Sequence, residues 1–188
     1  MIKAGNIRYN LFKRIFVNIK SSAVFFMICF LEVSTGTAQV AEKESILKAA
    51  FVYNFTKYIE WNTSTSSDFT IGILGNSYIY EPLIEIAATK TVNDKKIIVR
   101  RFNSPEEITV CDILFISFDN TYSVSSILSK RDKGTLTISE SPGYAKMGTA
   151  LNFVIVDDKL KFEANVKSIN NEGLKASSQL LKLAIIVD

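Results

Sequence analysis

Histidine is absent from the 188-residue sequence. That absence removes every mechanism needing an imidazole base or imidazole metal ligand, including Ser-His-Asp and Cys-His arrangements and the H-E-x-x-H zinc site. Cysteine is scarce. Cys29 and Cys111 are the two present, and Cys29 lies in a segment expected to be removed, so the mature chain has no pair for an intrachain disulfide. Glycine follows no phosphate-binding pattern: after the first expected strand stands Gly75-Asn76-Ser77, with neither G-x-G-x-x-G nor Gly-Lys-Ser/Thr. The apolar run Ala23 to Leu31 has nine residues and is broken by Glu32, well short of the roughly 20 that a membrane-spanning helix needs. No internal repeat or low-complexity tract occurs.

What is present begins with a leader. The first 20 residues carry Lys3, Arg8, Lys13, Arg14 and Lys20 and no acid, and they run into the apolar stretch. Small and polar Ser34-Thr-Gly-Thr-Ala38 follows, which is the order of a secretory signal peptide with cleavage expected after Ala38. Removing residues 1–38 takes five of 22 basic residues and one of 19 acids, leaving 17 against 18. The sequence pI of about 8.8 therefore belongs to the leader, and no nucleic-acid partner is expected. The remaining residues 39–188 are long enough for one domain, and 47% hydrophobic against 22% charged residues is ordinary globular usage.

Periodicity predicts a helix over 42–60 with an unusually wide apolar face, closed by Trp61 and followed by a polar connector at 62–67. Strands are expected at 69–74, 96–102, 113–117 and 135–139, alternating with helices at 78–88, after Ser104-Pro105, at 122–130 and after Ser141-Pro142 as far as Gly148. Alternation of this kind favours a largely parallel sheet flanked by helices, an α/β single domain with right-handed crossovers. The end differs. Residues 151–156 and 159–166 read as an antiparallel hairpin turning at Asp157-Asp158, and a helix over 175–184 closes the domain.

Chemistry-bearing groups are sparse. Asp119 stands alone after the third strand, without the acidic pair a metal-binding receiver domain would need. Glu106-Glu107 suits a helix start and Asp157-Asp158 a turn, so neither reads as a carboxylate pair facing a cleft. Lys95-Lys96 and Arg100-Arg101 bracket an apolar strand rather than an anion site. Cys111 opens an apolar strand and is expected to be buried. The aromatic set Phe51, Tyr53, Phe55, Tyr58 and Trp61 is expected in the core. No catalytic residue, cofactor or metal ligand is assigned.

Three stretches together are more specific: Leu47-Lys-Ala-Ala-Phe-Val-Tyr-Asn-Phe-Thr-Lys-Tyr-Ile-Glu-Trp61; Val110-Cys-Asp-Ile-Leu-Phe-Ile116 with Thr137-Ile-Ser-Glu-Ser-Pro-Gly-Tyr-Ala145; and Leu151-Asn-Phe-Val154, Phe162-Glu-Ala-Asn165 and Gly173-Leu-Lys-Ala-Ser-Ser-Gln-Leu-Leu-Lys-Leu-Ala184. In this the chain resembles the YfiR/HmsC family of exported proteins over about residues 44–187. The resemblance implies a non-enzymatic periplasmic regulator that holds an inner-membrane diguanylate cyclase inactive, lowering cyclic di-GMP and restraining biofilm. A histidine kinase could stand in the cyclase's place. A homodimer, a small-molecule ligand and an outer-membrane lipoprotein partner belong to the same implication. Departures from the family pattern are the unpaired Cys111, Asn62 where a proline is usual, and Gly148-Thr-Ala-Leu-Asn152 in place of paired glycines. Candidate partner or ligand contacts are Glu163, Asn165, Ser177 and Ser178, each with a structural alternative: Asn165 satisfying backbone groups, the serines capping the last helix. The rival function is a periplasmic small-molecule-binding protein serving a sensor or transporter.

Overall fold

The computed structural model describes residues 35–61 and 67–187, with side chains from residue 41 onward. The apolar leader run with Cys29, and residues 62–66 of the connector, lie outside the described residues. The first helix, α1, covers Thr35–Phe55, so the expected cleavage position after Ala38 falls in its first turn. Residues 42–188 form one compact unit. After α1 come β1 (Ile59–Trp61), β2 (Asp68–Leu74), α2 (Tyr80–Thr89), β3 (Thr91–Val92), β4 (Lys95–Phe102), a 3-10 turn (Pro105–Glu107), β5 (Ile113–Ile116), α3 (Val124–Lys130), β6 (Leu136–Ser139) and β7 (Leu151–Val156). The chain then runs through β8 (Lys159–Asn165), α4 (Val166–Asn171), β9 (Leu174–Ala176), α5 (Ser178–Leu183) and β10 (Ile185–Val187).

Among the described residues, eight strands form one sheet in the order β10-β8-β7-β6-β5-β2-β4-β3. Strands β4, β2, β5, β6 and β7 are mutually parallel, while β3 and β8 run antiparallel to β4 and β7. This is the mixed, largely parallel α/β sheet expected from the alternation. From β2 the chain steps outward to β4, then back across β2 to β5 and on to β6 and β7. Right-handed crossovers taken in opposite directions place their connections on opposite faces. Accordingly α2, through Leu83 and the Ile79 that precedes it, shares a core with Ala49, Val52 and Phe55 of α1 on one face. On the other, Ile127 of α3 joins Leu74, Phe102, Cys111, Leu114 and Ile116. Strand β5 divides residue by residue, Ile113 and Phe115 to the first cluster, Leu114 and Ile116 to the second, the period-two pattern of a strand buried on both sides. Burial of a side chain such as Phe55, 2% exposed, stabilises by about 1.5–3 kcal/mol.

Several expected elements differ. Helix α1 stops at Phe55 because Thr56, Lys57 and Tyr58 donate their amides three residues back and the Thr56 hydroxyl donates to the Tyr53 carbonyl at 2.6 Å. Ile59, Glu60 and Trp61 then pair as a strand with Ala176, Lys175 and Leu174. The expected helix over 175–184 is correspondingly the end of strand β9 followed by the short helix α5, after which the edge strand β10 lies beside β8. The segment after Ser104-Pro105 makes a single 3-10 turn, in which Glu107 accepts from the Asn103 amide at 2.8 Å. Residues 141–148 form turns, with Gly143 and Gly148 at positive φ. The hairpin turns at Asp157-Asp158, both left-handed, as does an unexpected small one at Asn93-Asp94.

Candidate functional site

In the parallel strands arranged β4-β2-β5-β6-β7 the order in which the chain adds strands reverses between β2 and β5, and such sheets place ligands beyond the carboxyl ends of the strands at that point. Here the crevice is closed by the chain itself. Both carboxylate oxygens of Asp119, in the loop after β5, accept from the Asn76 amide at 3.2 Å. Gly75 permits the approach: its φ is +96°, and a Cβ there would lie 2.6 Å from Asp119 Oδ1. A side-chain carboxylate thus occupies the amide that a bound anion would use, and Asp119 is a bracing loop acid.

One strand further, Glu140 follows β6 and joins three elements. Its Oε1 accepts from the Phe118 amide at 3.2 Å and from Ser117 Oγ at 3.5 Å. Its Oε2 accepts from Lys48 Nζ of α1 at 2.6 Å, and Lys48 also pairs with Glu44 at 2.7 Å. Burial works against the Lys48 ammonium, but the hydrogen bonds and charge of Glu140 and Glu44 outweigh it and raise its pKa above the ordinary value. An ion pair this buried registers α1 against the loops more than it adds net stability, since desolvation offsets much of the attraction. Asn120 completes the bracing, donating to the Ser117 carbonyl at 3.1 Å and to Tyr144 Oη at 3.5 Å.

These braced loops and their flanks carry Tyr78, Phe118 and Met147, each more than half exposed, and Tyr122 at 38%. Large apolar side chains left exposed on loops tied together in this way are candidates for contact with a partner. A cleft of about 380 Å³ opens on the other side of Glu140, against α1. Among the described residues no group of three His, Cys, Asp or Glu side chains could hold a metal ion, and no helix is long and apolar enough to cross a membrane.

The residues singled out from sequence lie elsewhere. Ser139, Asn152 and Glu163 form a polar row across β6, β7 and β8: Ser139 Oγ donates to Asn152 Oδ1 at 2.8 Å, and Asn152 Nδ2 to Glu163 Oε2 at 2.9 Å. Asn165 is buried; it caps α4 by accepting from the Ser168 amide and donates to the Ala145 carbonyl. Ser177 caps α5 through the Leu180 amide, while Ser178 is exposed at the start of that helix. No hydrogen bond among the described residues joins either serine to Glu163 or Asn165. Cys111 is buried as expected, its thiol pushed up to about 12 by burial, with Asp112 adding to the effect. Phe55 and its aromatic neighbours Phe51, Tyr53, Tyr58 and Trp61 pack in or against the core. Arg101 lies over the Tyr80 ring, 4.1 Å from its centroid.

Sequence reasoning passed over Lys48, Glu140 and Phe118. A signal existed for two of them: Lys48 stands on the same helical face as Phe51 and Phe55, and Glu140 follows directly on the four buried residues of β6. A charge in either place needs a partner. A family model described as YfiR/HmsC-like matches residues 45–185. No curated protein matches the chain.

Proposed function

Since the chain belongs to the YfiR/HmsC-like family, we propose that it is an exported, non-enzymatic regulator of cyclic di-GMP signalling that acts by binding the periplasmic part of an inner-membrane diguanylate cyclase. Family membership supports the regulatory role at the level of the family, and the leader supports export. The observation that carries the contact is the exposed set Tyr78, Phe118, Tyr122 and Met147 beside loops braced by Asp119, Asn120 and Glu140. A preformed apolar surface loses little entropy on docking. Inhibition follows as a population shift: the domain binds the inactive arrangement of the sensor more tightly than the active one, and that difference in affinity sets how far the balance moves.

The test is a pull-down of the tagged chain, expressed in its own host, from solubilised membranes, with mass spectrometry of what is retained. A sensor carrying a cyclase domain should be recovered, and Phe118→Asp should weaken its recovery about 30-fold, as loss of a central aromatic anchor does. A histidine kinase in its place would keep the regulator and change its target. Transport components alone, or nothing above a tag control, would overturn the reading. The second reading, a small-molecule-binding protein serving a sensor or transporter, draws support from the cleft beside Glu140.

A further inference from the structure

The cleft of about 380 Å³ lies between the middle of α1, at Glu44 and Lys48, and the turn end of the β7–β8 hairpin. On α1, Glu44, Lys48, Phe51 and Phe55 follow at helical steps along one face. The two phenylalanines pack on Phe153 and Phe162 of the hairpin, with ring centroids 5.0–6.1 Å apart. One turn nearer the N-terminus the same face carries charge instead. Opposite it stand Ile155 and Leu160, a cross-strand pair at the hairpin's end, with Ile155 left 56% exposed. A charged turn does not fill space against aliphatic side chains as phenylalanine does, and the space stays open.

Its lining has a sign. Two carboxylates, Glu44 and Glu140, share the single ammonium of Lys48, so the polar end carries an excess of one negative charge, while Phe153, Ile155 and Leu160 supply an apolar floor. Glu140 is held from behind by the Phe118 amide, whereas Glu44 is the more exposed carboxylate, at 37%. We propose that this cleft binds an amphipathic cation, an ammonium group on Glu44 with its apolar body on Phe153, Ile155 and Leu160, and that occupancy is transmitted through Glu140 to Phe118. An anionic ligand would bring its charge against two carboxylates, and a neutral one would leave the excess charge uncompensated.

The probes are phenethylamine, 2-phenylethanol and 3-phenylpropionate, titrated into the purified chain and followed by calorimetry and by amide NMR. Phenethylamine should bind about tenfold more tightly than the alcohol, the margin of a charge-assisted hydrogen bond, and the carboxylate should not bind. Shifts should centre on residues 44–48 and 153–160 and include the Phe118 amide. Glu44→Gln should weaken the amine about fivefold, the range of a partly exposed ion pair, without changing the alcohol. Equal binding of the three probes, shifts away from the cleft, an unmoved Phe118 amide or an indifferent Glu44→Gln would each overturn the proposal. Both parts are read on the chain alone, so their failure and the failure of the cyclase contact are distinguishable.

Discussion

Asn165 separates a structural from a functional reading of the last long strand. It is 5% exposed; its Oδ1 accepts from the Ser168 amide at 2.8 Å, and its Nδ2 donates to the Ala145 carbonyl at 2.9 Å. Asn165→Ala removes both bonds. Loss of the helix cap costs about 1 kcal/mol. The Ala145 oxygen keeps the Gly148 amide at 3.1 Å, so losing its second donor falls at the low end of the range for a disrupted buried hydrogen bond, about 1 kcal/mol. Urea unfolding should therefore show a loss of about 2 kcal/mol with an unchanged slope, and thermal unfolding a drop of about 4–8 °C. Asn165→Ser keeps a capping oxygen but lacks the amide donor, and should lose about half as much. Stability unchanged in Asn165→Ala, together with lost recovery of the membrane partner, would refute the structural assignment and make Asn165 a contact.

Cys111 should resist thiol reagents in the folded chain and react on unfolding, because burial keeps it protonated with its pKa pushed up to about 12. The unfolded thiol ionises from about 9, so the unfolded state loses its proton first and stability should fall between about pH 9 and 12; Cys111→Ala should flatten that decline. Gly75→Ala combines a left-handed φ with a clash at Asp119, and should cost more than about 1 kcal/mol and speed exchange of the Asn76 amide. Lys48→Met leaves Glu140 without its cation, at about 3 kcal/mol by denaturant titration. Its raised pKa means that the Lys48 contribution is full below the unfolded lysine value and is lost as pH climbs through the higher folded one, so the mutant should lose less than the parent above about pH 10.5.

The sheet was legible because 113–116 reads as a short apolar run, 136–139 alternates Leu and Ile with Thr and Ser, and Asp157-Asp158 marks its hairpin by turn chemistry. The fate of Ile59-Glu60-Trp61 was not. Tyr58 and Ile59 extend the apolar spacing of α1, and what makes 59–61 a strand is pairing with residues more than 110 positions later, a tertiary choice that local period does not encode. The same pairing removed the start of the expected last helix. At the site, Lys48 and Glu140 are 92 residues apart, and neither sits in a local motif. The capping role of Ser177, by contrast, follows from residue type at a helix start and was among the alternatives the sequence offered, as was Asn165 satisfying backbone groups; the short helix α4 that Asn165 caps was not expected.

The way the switch point is closed explains why this sheet has a braced rim where open α/β sheets in general have a ligand crevice. Strands β2 and β5 stay paired to their last residues, Leu74 and Ile116, and the Asn76 amide just beyond attracts negative charge. Supplying that charge from Asp119 removes the ligand's reason to enter and ties the two loops together. Glu140 repeats the device one strand along, taking the Phe118 amide and reaching on to Lys48. Each carboxylate ties a loop amide into a braced rim, from which Phe118 projects, 61% exposed. The rim bears the exposed apolar side chains, and the open cleft lies instead on the α1 face, where Glu140 is the residue common to both.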